Sequence, residues 1–277
     1  MVQALGKSAA GTAAFIGEFG AYSHKAALAY FGDEITPVPM KGFKDIFAAV
    51  ASGRVEYGVI PLENSLSGSI HENFDLLQAY DLKIIGELTL RIQHVLIAHK
   101  GAVKEQILQV MAPPPALAQC HHYLDQYPWM EPVPVGATSQ AVKIVKDSQD
   151  TGCAAIASAM AAQIFDMQII DDSIEDDPRN FTRFAVISGT HKEKENVEKT
   201  SIIFSTGNKP GALFQVMKVF SDYGINLVKL ESRPIYGKPW EYMFYADLEA
   251  DILHKDLASM VKSLEGNTET FRILGRY

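Results

Sequence analysis

From Ala13 onward the chain alternates short apolar runs with longer amphipathic ones. Ala13 to Gly17 predicts a strand, GEFGAYS a loop, and HKAALAYF a helix for which Ser23 is placed as cap. ITPVP reads as a second strand and FKDIFAAVASG as a helix with Phe43, Ile46, Phe47 and Val50 on one face. A third strand, VEYGVI, ends in PLENSLSGS ahead of the helix IHENFDLLQAY. This βαβα order predicts a parallel sheet. Leu82 to His99 is β-rich and long enough for two strands or one crossing between lobes. Alternation then resumes: helix VKEQILQVMA, a break at Pro113 to Pro115, helix ALAQCHHYLDQY, strand WMEPVPV, helix SQAVKIVKDS, strand CAAIAS and helix AMAAQIF.

The acidic segment IEDDPRNFTRF feeds the apolar, β-branched run AVIS, a loop entering a strand. The pattern up to Ser188 predicts two α/β lobes with a cleft between them, the logic of periplasmic binding proteins; this is an analogy of fold, not of transport. GTHKEKENVEKT, charged and poor in large apolar residues, marks a domain boundary. Beyond it, strand SIIFSTG, helix ALFQVMKVFSDY stopped by Gly224, strand INLVKLESRPI, strand WEYMFYADLEA, helix ILHKDLASMVKSLEG and strand TETFRILGRY spell βαββαβ, a ferredoxin-like sandwich. Leu213, Val216, Met217 and Phe220 form one apolar helical face, and Leu253, Leu257, Met260, Val261 and Leu264 the other.

Composition narrows the function. With 277 residues, 47% of them hydrophobic, the chain can bury two ordinary cores. A formal charge of -8 without a long Lys/Arg run argues against nucleic-acid binding, although a locally positive site can still hold an acidic ligand. Cys120 and Cys153 have neither CxxC spacing nor a disulfide framework. No signal peptide and no run of about 20 apolar residues is present, so a cytoplasmic location off the membrane is expected. His121 and His122 are adjacent and no HExxH occurs, so no metal is expected; GxSxG and the P-loop are also missing.

The candidate chemistry lies at strand ends and at strand-to-helix turns. Asn180, Thr182 and Arg183 are hydrogen-bond donors, and strand alternation sends Thr182 to one side and Phe181 with Arg183 to the other. That set suits an anionic ligand with a hydroxyl to be polarised, but on these residues alone an ordinary strand entry, with Thr182 as a half-buried β-former, is the favoured reading. Glu63, Asn64, Ser65 and Gly68 sit at the carboxyl end of a strand, where open α/β sheets keep their ligands. Taken singly, each has an ordinary role as well: Asn64 or Ser65 as a turn cap, Ser69 as a helix cap, Glu63 as a solvated charge. Ser23 and the pair Thr138 and Ser139 face the same choice between cap and ligand donor.

The segments GEFGAYSHKAA, YGVIPLENSLSG, ALAQC, CAAIAS, IEDDPRNFTRF, NKPGALFQVMKVFSDYGINLVKLESRP and WEYMFYADLE, in this order from Gly17 to Glu249, resemble a prephenate dehydratase followed by an ACT domain. The resemblance implies a catalytic domain over residues 12–190, with lobe one near 12–90 plus 175–190 and lobe two near 91–174, and a regulatory ACT domain over 200–277. It implies Thr182 as the catalytic residue, with Ser23, Asn64, Ser65, Thr138, Asn180, Phe181 and Arg183 lining the cleft. Phenylalanine, as feedback inhibitor, would meet Asn208, Gly211, Ala212 and Leu213, together with Glu231, Ser232, Arg233 and Pro234. Glu63, if its pKa is raised by burial, is the expected proton source beside Thr182. Two departures stand out: Ala112 and Pro113 precede Pro114 where the family often has serine and histidine, and Thr138 is followed by Ser139, Gln140, Ala141 and Val142.

No metal or organic cofactor is required by this chemistry. A homodimer or homotetramer is expected, because an effector inhibits only by preferring an unproductive conformer, here one set by paired ACT modules. Three other readings remain: arogenate dehydratase, a non-catalytic amino-acid sensor, and half of a bifunctional protein with chorismate mutase. NFTRF and LENS speak against the sensor, and too few residues precede the first strand for the helices of the mutase.

Overall fold

The computed structural model describes residues 11–190 and 196–277. The expected boundary at Gly189 to Thr200 therefore lies partly outside the described residues. In chain order the first elements are β1 (Thr12–Ile16), α1 (Tyr22–Phe31), β2 (Thr36–Met40), α2 (Phe43–Ala51), β3 (Tyr57–Asn64), the short β4 (Gly68–Ser69) and α3 (His71–Ala79). Next come β5 (Lys83–Arg91), β6 (Val95–Ala98), β7 (Gln109–Ala112), α4 (Pro114–Gln119), α5 (His121–Asp125), β8 (Glu131–Pro134) and α6 (Thr138–Ser148). They are followed by β9 (Cys153–Ala157), α7 (Ala159–Ile164), β10 (Gln168–Asp171) and β11 (Phe181–Ser188). The last elements are β12 (Thr200–Ser205), α8 (Ala212–Asp222), β13 (Leu227–Pro234), β14 (Tyr242–Leu248), α9 (Ala258–Asn267) and β15 (Thr270–Arg276). No helix among the described residues is long and apolar enough to cross a membrane.

These elements form two compact units. Among the described residues, one comprises 11–70 with Leu88–Phe184, the other His71–Glu87 with 185–190 and 196–277. Residues 71–87, expected in lobe one, thus group with the C-terminal module.

Within the first unit β2, β1 and β3 run parallel, with β11 beside β3. Pro37 and Pro39 lack N–H groups, and they lie in β2 at the edge of this sheet, where no second neighbour needs those donors. The second lobe is a sheet in the order β10-β6-β9-β7-β8. Leu96, Val110 and Ile156 pack into one apolar cluster, and Val95, Ile97 and Ala155 into another. A sheet covered on both faces shows a near-continuous apolar sequence instead of alternation.

That explains a misread element. The helix expected over VKEQILQVMA is a 3-10 turn at Lys104–Gln106 followed by β7. β7 pairs in parallel with both β8 and β9, and this sheet pairing overrides the helical preference of Gln, Met and Ala. The helix expected through ALAQCHHYLDQY is broken at Cys120 into α4 and α5. At that break Asp176 holds the chain, its N–H donating to the Gln119 carbonyl at 2.7 Å and its Oδ1 accepting from the His122 N–H at 3.0 Å. β10, antiparallel to β6, was not anticipated.

In the second unit β13, β14, β12 and β15 pair antiparallel in that order, the βαββαβ arrangement expected. Helices α8 and α9 bury Val216, Phe220, Met260 and Leu264 against Ile202 and Phe204. Leu253 falls outside the expected apolar face: it precedes the helix and is 50% exposed. β15 also meets the start of β5, pairing Gly275 with Ile84. A Cβ on Gly275 would lie 2.0 Å from the Ile84 carbonyl oxygen, so only glycine allows that approach. Helix α3 is clamped onto this module. Asp75 receives a two-pronged ion pair from Arg233, His71 meets Glu231 at 3.2 Å, and the Tyr245 hydroxyl donates to the Phe74 carbonyl at 2.5 Å.

Candidate active site and candidate effector site

Asn64 closes β3 and makes a turn whose geometry fixes its side chain. Its Oδ1 accepts from the N–H groups of Leu66 and Ser67 at 3.0 and 2.9 Å. Its Nδ2 therefore points at β11, where it reaches Asn180 Oδ1 at 2.7 Å, the Phe181 carbonyl at 3.1 Å and Thr182 Oγ1 at 3.0 Å. Ser65 pins the same two segments together. Its N–H donates to the Phe181 carbonyl at 2.8 Å, and its hydroxyl donates to the Arg179 carbonyl at 2.8 Å while accepting from the Phe181 N–H at 2.9 Å. Ser65 is thus committed to backbone in this state, the ordinary of its two roles.

Thr182 is 7% exposed and Asn180 fully buried. Since Thr182 Oγ1 accepts from Asn64, its own proton is turned elsewhere, and no described residue takes it as an acceptor. Phe181 is exposed. Arg183 donates from Nε to Glu63 Oε1 at 2.7 Å, with 12% of its side chain exposed. Glu63 was expected beside Thr182 as a proton source; in the structure its carboxylate pairs with the Arg183 guanidinium.

Glu63, Asn64, Ser65, Asn180, Phe181, Thr182 and Arg183 are therefore brought together at the junction of β3 and β11. Ser23 and Thr138 make no hydrogen bond to this group. Ser23 does not cap α1: the helix starts at Tyr22 after Ala21, and Ser23 lies buried in the first turn. Thr138 is the first residue of α6, behind Ala137. Its neighbour Ser139 makes the contact between lobes instead, accepting from the Glu18 N–H at 3.3 Å. Ser158 ties the lobes as well, donating to the Gly20 carbonyl at 2.6 Å and capping α7.

Sequence reasoning missed three members of this centre. Gln119 Oε1 accepts from Asn180 Nδ2 at 2.9 Å and lies 3.0 Å from His94 Nε2. His94 Nδ1 in turn lies 2.9 Å from the Tyr22 hydroxyl. Burial holds the His94 imidazole below its usual value, against the opposing pull of the Gln119 bond and the Glu175 carboxylate, and pushes the Tyr22 hydroxyl well up. The signal was there in part: Gln119 stands in the ALAQC segment. No group of three or more His, Cys, Asp or Glu among the described residues could hold a metal.

In the second unit, Asn208, Gly211, Ala212 and Leu213 line a cavity of about 380 Å³ at the turn from β12 into α8, together with Trp240 and Tyr242. That is the size of a small-molecule site. Gly211 is the N-cap of α8 with φ 79°, and no side chain caps the helix. Glu231 and Arg233 do not reach this cavity, because both side chains are spent on α3. Arg233 and Pro234 border a different, open cavity of about 850 Å³ with Asp75 and the Tyr236 to Trp240 loop. Ser232 is exposed on β13. Within one chain the two expected halves of the effector site are therefore not united.

The prephenate dehydratase family model matches residues 13–192 and the ACT domain model residues 200–259. An Arabidopsis thaliana chloroplast protein named arogenate dehydratase/prephenate dehydratase 2 is 38% identical over 280 residues, covering 95% of this chain and 72% of the relative. Among solved structures, a prephenate dehydratase from Arthrobacter aurescens in complex with L-Phe has a TM-score of 0.88 at 26% identity, covering 96% of this chain and 89% of the other. GqqA, described as a novel type of quorum quenching acylase, has a TM-score of 0.89 at 29% identity, covering 96% of this chain and 97% of the other.

Proposed function

Since this chain belongs to the prephenate dehydratase family and carries an ACT domain behind the matched catalytic region, we propose that Thr182 is its catalytic group and that the amides of Asn64 and Asn180 aim it. The reaction removes carbon dioxide and water from prephenate as the ring becomes aromatic, giving phenylpyruvate. Aromatisation supplies the driving force, so the protein's task is to hold a dianion and ease the departure of hydroxide. A hydrogen bond aimed at the leaving oxygen stabilises the transition state more than the ground state.

One observation carries the assignment: Asn64 Nδ2 donates to Thr182 Oγ1 at 3.0 Å. That bond leaves the threonine proton pointing away from Asn64 and makes the hydroxyl a stronger donor. Glu63 holds the Arg183 guanidinium, which is proposed to meet a substrate carboxylate. The starts of α1 and α6, neither closed by a side-chain cap, offer N–H groups to the other. The catalytic part is proposed to span 12–190 and the regulatory part 200–277.

Acyl transfer of the kind named for one structural neighbour is not favoured. Thr182 Oγ1 bonds to an amide, and no histidine or carboxylate among the described residues is hydrogen-bonded to it to make it a nucleophile. Arogenate differs from prephenate by an amino group in place of the side-chain ketone, and a relative carries both names. Turnover of prephenate and arogenate by the purified chain, assayed side by side, tests this reading against both rivals.

For regulation we propose that L-phenylalanine binds at the turn from β12 into α8, its carboxylate at the uncapped helix start. The L-Phe complex of the similar Arthrobacter aurescens protein supports this. Helix α3 supplies a route to the chemistry, because it is clamped to β13 by Asp75 and His71 and follows directly in the chain on Ser69, which pairs with Glu63. A homo-oligomer fits the edge position of β13, which exposes Val228 and Leu230. Gly211→Ala should keep the uninhibited rate within about twofold and lose inhibition by L-phenylalanine, with a left-handed-φ cost of about 1–2 kcal/mol. Sedimentation of wild type and variant should give at least a dimer. Inhibition intact with catalysis lost, or a monomer throughout, would overturn the corresponding half of this scheme.

A further inference from the structure

Behind Thr182 runs a polar chain whose every link can be given a direction from backbone groups. The N–H groups of Leu66 and Ser67 and the carbonyl of Phe181 permit only one orientation of the Asn64 amide, with Oδ1 accepting and Nδ2 donating. Asn180 Oδ1 must then accept from Asn64, at 2.7 Å, which turns Asn180 Nδ2 towards Gln119. Gln119 consequently presents its carbonyl oxygen to both Asn180 Nδ2 and His94 Nε2, at 2.9 and 3.0 Å. An acceptor facing Nε2 requires that Nε2 carry the imidazole proton.

We propose that His94 is a positioning residue for the dehydratase reaction, a fixed Nε2–H donor that locks Gln119 and, through Gln119, the Asn180 amide whose Oδ1 holds Asn64 Nδ2 beside the Thr182 hydroxyl. The proposal rests on the reading of Thr182 given above. It needs no proton transfer along the chain, since amides hold orientation and do not relay protons.

Three features make this arrangement consequential. His94 and Asn180 are both buried, so water cannot replace a lost partner, and an unmet buried donor or acceptor is costly. The main chain of His94 is itself fixed, its N–H donating to Glu175 Oε2 at 2.9 Å, while Glu175 pairs with Arg91. At the other ring nitrogen the Tyr22 hydroxyl has one proton for two acceptors, Nδ1 at 2.9 Å and the Gln93 carbonyl at 2.7 Å. With Nε2 protonated towards Gln119 and burial disfavouring the charged ring, Nδ1 carries the lone pair, and the Tyr22 proton is shared between it and the Gln93 carbonyl. Without the Nε2 donor Gln119 keeps only Asn180 Nδ2 and a 3.4 Å contact to Ser67 Oγ, so the Asn180 amide loses its firm anchor. Asn64 keeps its backbone-set orientation, but the Asn180 Oδ1 that holds its Nδ2 beside Thr182 can shift.

The test combines kinetics with a spectroscopic reading on the full chain. His94→Leu removes the donor and should lower kcat by up to about 10²-fold with KM little changed, the cost of a small misplacement at the reacting group. His94→Gln, whose amide nitrogen can stand in for Nε2, should recover kcat to within about fivefold of wild type. Nitrogen NMR of histidine-labelled wild type, with the His94 signals identified by their loss in His94→Gln, should show Nε2 protonated and Nδ1 unprotonated at neutral pH. A proton on Nδ1, or equal kcat in the leucine and glutamine variants, would overturn the proposal. The NMR arm stands even where His94→Leu fails to fold. Thr182→Ala, assayed in parallel, separates the two readings: wild-type turnover there defeats the assignment of Thr182, whereas its loss beside an unimpaired His94→Leu defeats only the role of His94.

Discussion

Replacing Thr182 by alanine is expected to lower kcat for prephenate by about 10²–10³-fold, with KM changed less than about threefold. The magnitude is that of removing one donor aimed at charge that develops in the transition state, about 2.7–4 kcal/mol. The groups proposed to bind substrate, Arg183 and the starts of α1 and α6, are untouched, so substrate affinity should survive. Thr182→Ser keeps a hydroxyl on the same partner, Asn64 Nδ2, and should stay within about tenfold of wild type. Thr182 is almost fully buried, so the unfolding midpoints of both variants must be compared with wild type before the rates are interpreted. A folded Thr182→Ala protein that keeps wild-type kcat would remove the threonine from the mechanism.

Asn64→Asp should be worse than its near-isosteric change suggests, with kcat/KM down by about 10³-fold or more. The substitution keeps Oδ1 for the N–H groups of Leu66 and Ser67, so the turn itself survives. It replaces the Nδ2 donor by a carboxylate oxygen facing three acceptors, Asn180 Oδ1, the Phe181 carbonyl and Thr182 Oγ1. The Thr182 proton is then drawn to the new carboxylate and away from the leaving group, and a negative charge is set beside a dianionic substrate. Two readings of Asn64 are separated by this one change. If the residue merely caps a turn, aspartate serves equally well and activity is retained. If its amide aims Thr182, aspartate is more damaging than alanine. Steady-state kinetics of wild type, Asn64→Ala and Asn64→Asp decide between them.

Sequence reading worked where one residue sets one local outcome. Asn64 at a strand end, Thr182 in an alternating strand and Gly224 after an amphipathic helix stand where the pattern placed them. The second module was legible for the same reason, since its two helices each bury one regular face on a sheet. It failed where pairing decided the outcome. β7 has four residues between parallel neighbours, only Val110 and Ala112 of them buried, too short a run for a period to be read. β10 and the break at Cys120 likewise depend on partners distant in sequence: β6 for the one, Asp176 for the other.

Within the site the same limit applies. Residues that would touch a ligand could be named from motifs. The groups that orient them could not, because Gln119, His94 and Tyr22 meet only after two lobes have folded and each looks like an ordinary core or helix residue alone. Glu63 shows the converse: its motif was legible, but its ion pair with Arg183, 120 positions away, was not.

The most direct test of the central claim is phenylpyruvate release from prephenate by the purified full chain, followed with and without L-phenylalanine and beside an equal concentration of arogenate. The account predicts phenylpyruvate from prephenate, suppressed when L-phenylalanine is added. No phenylpyruvate from prephenate under any of these conditions would contradict it.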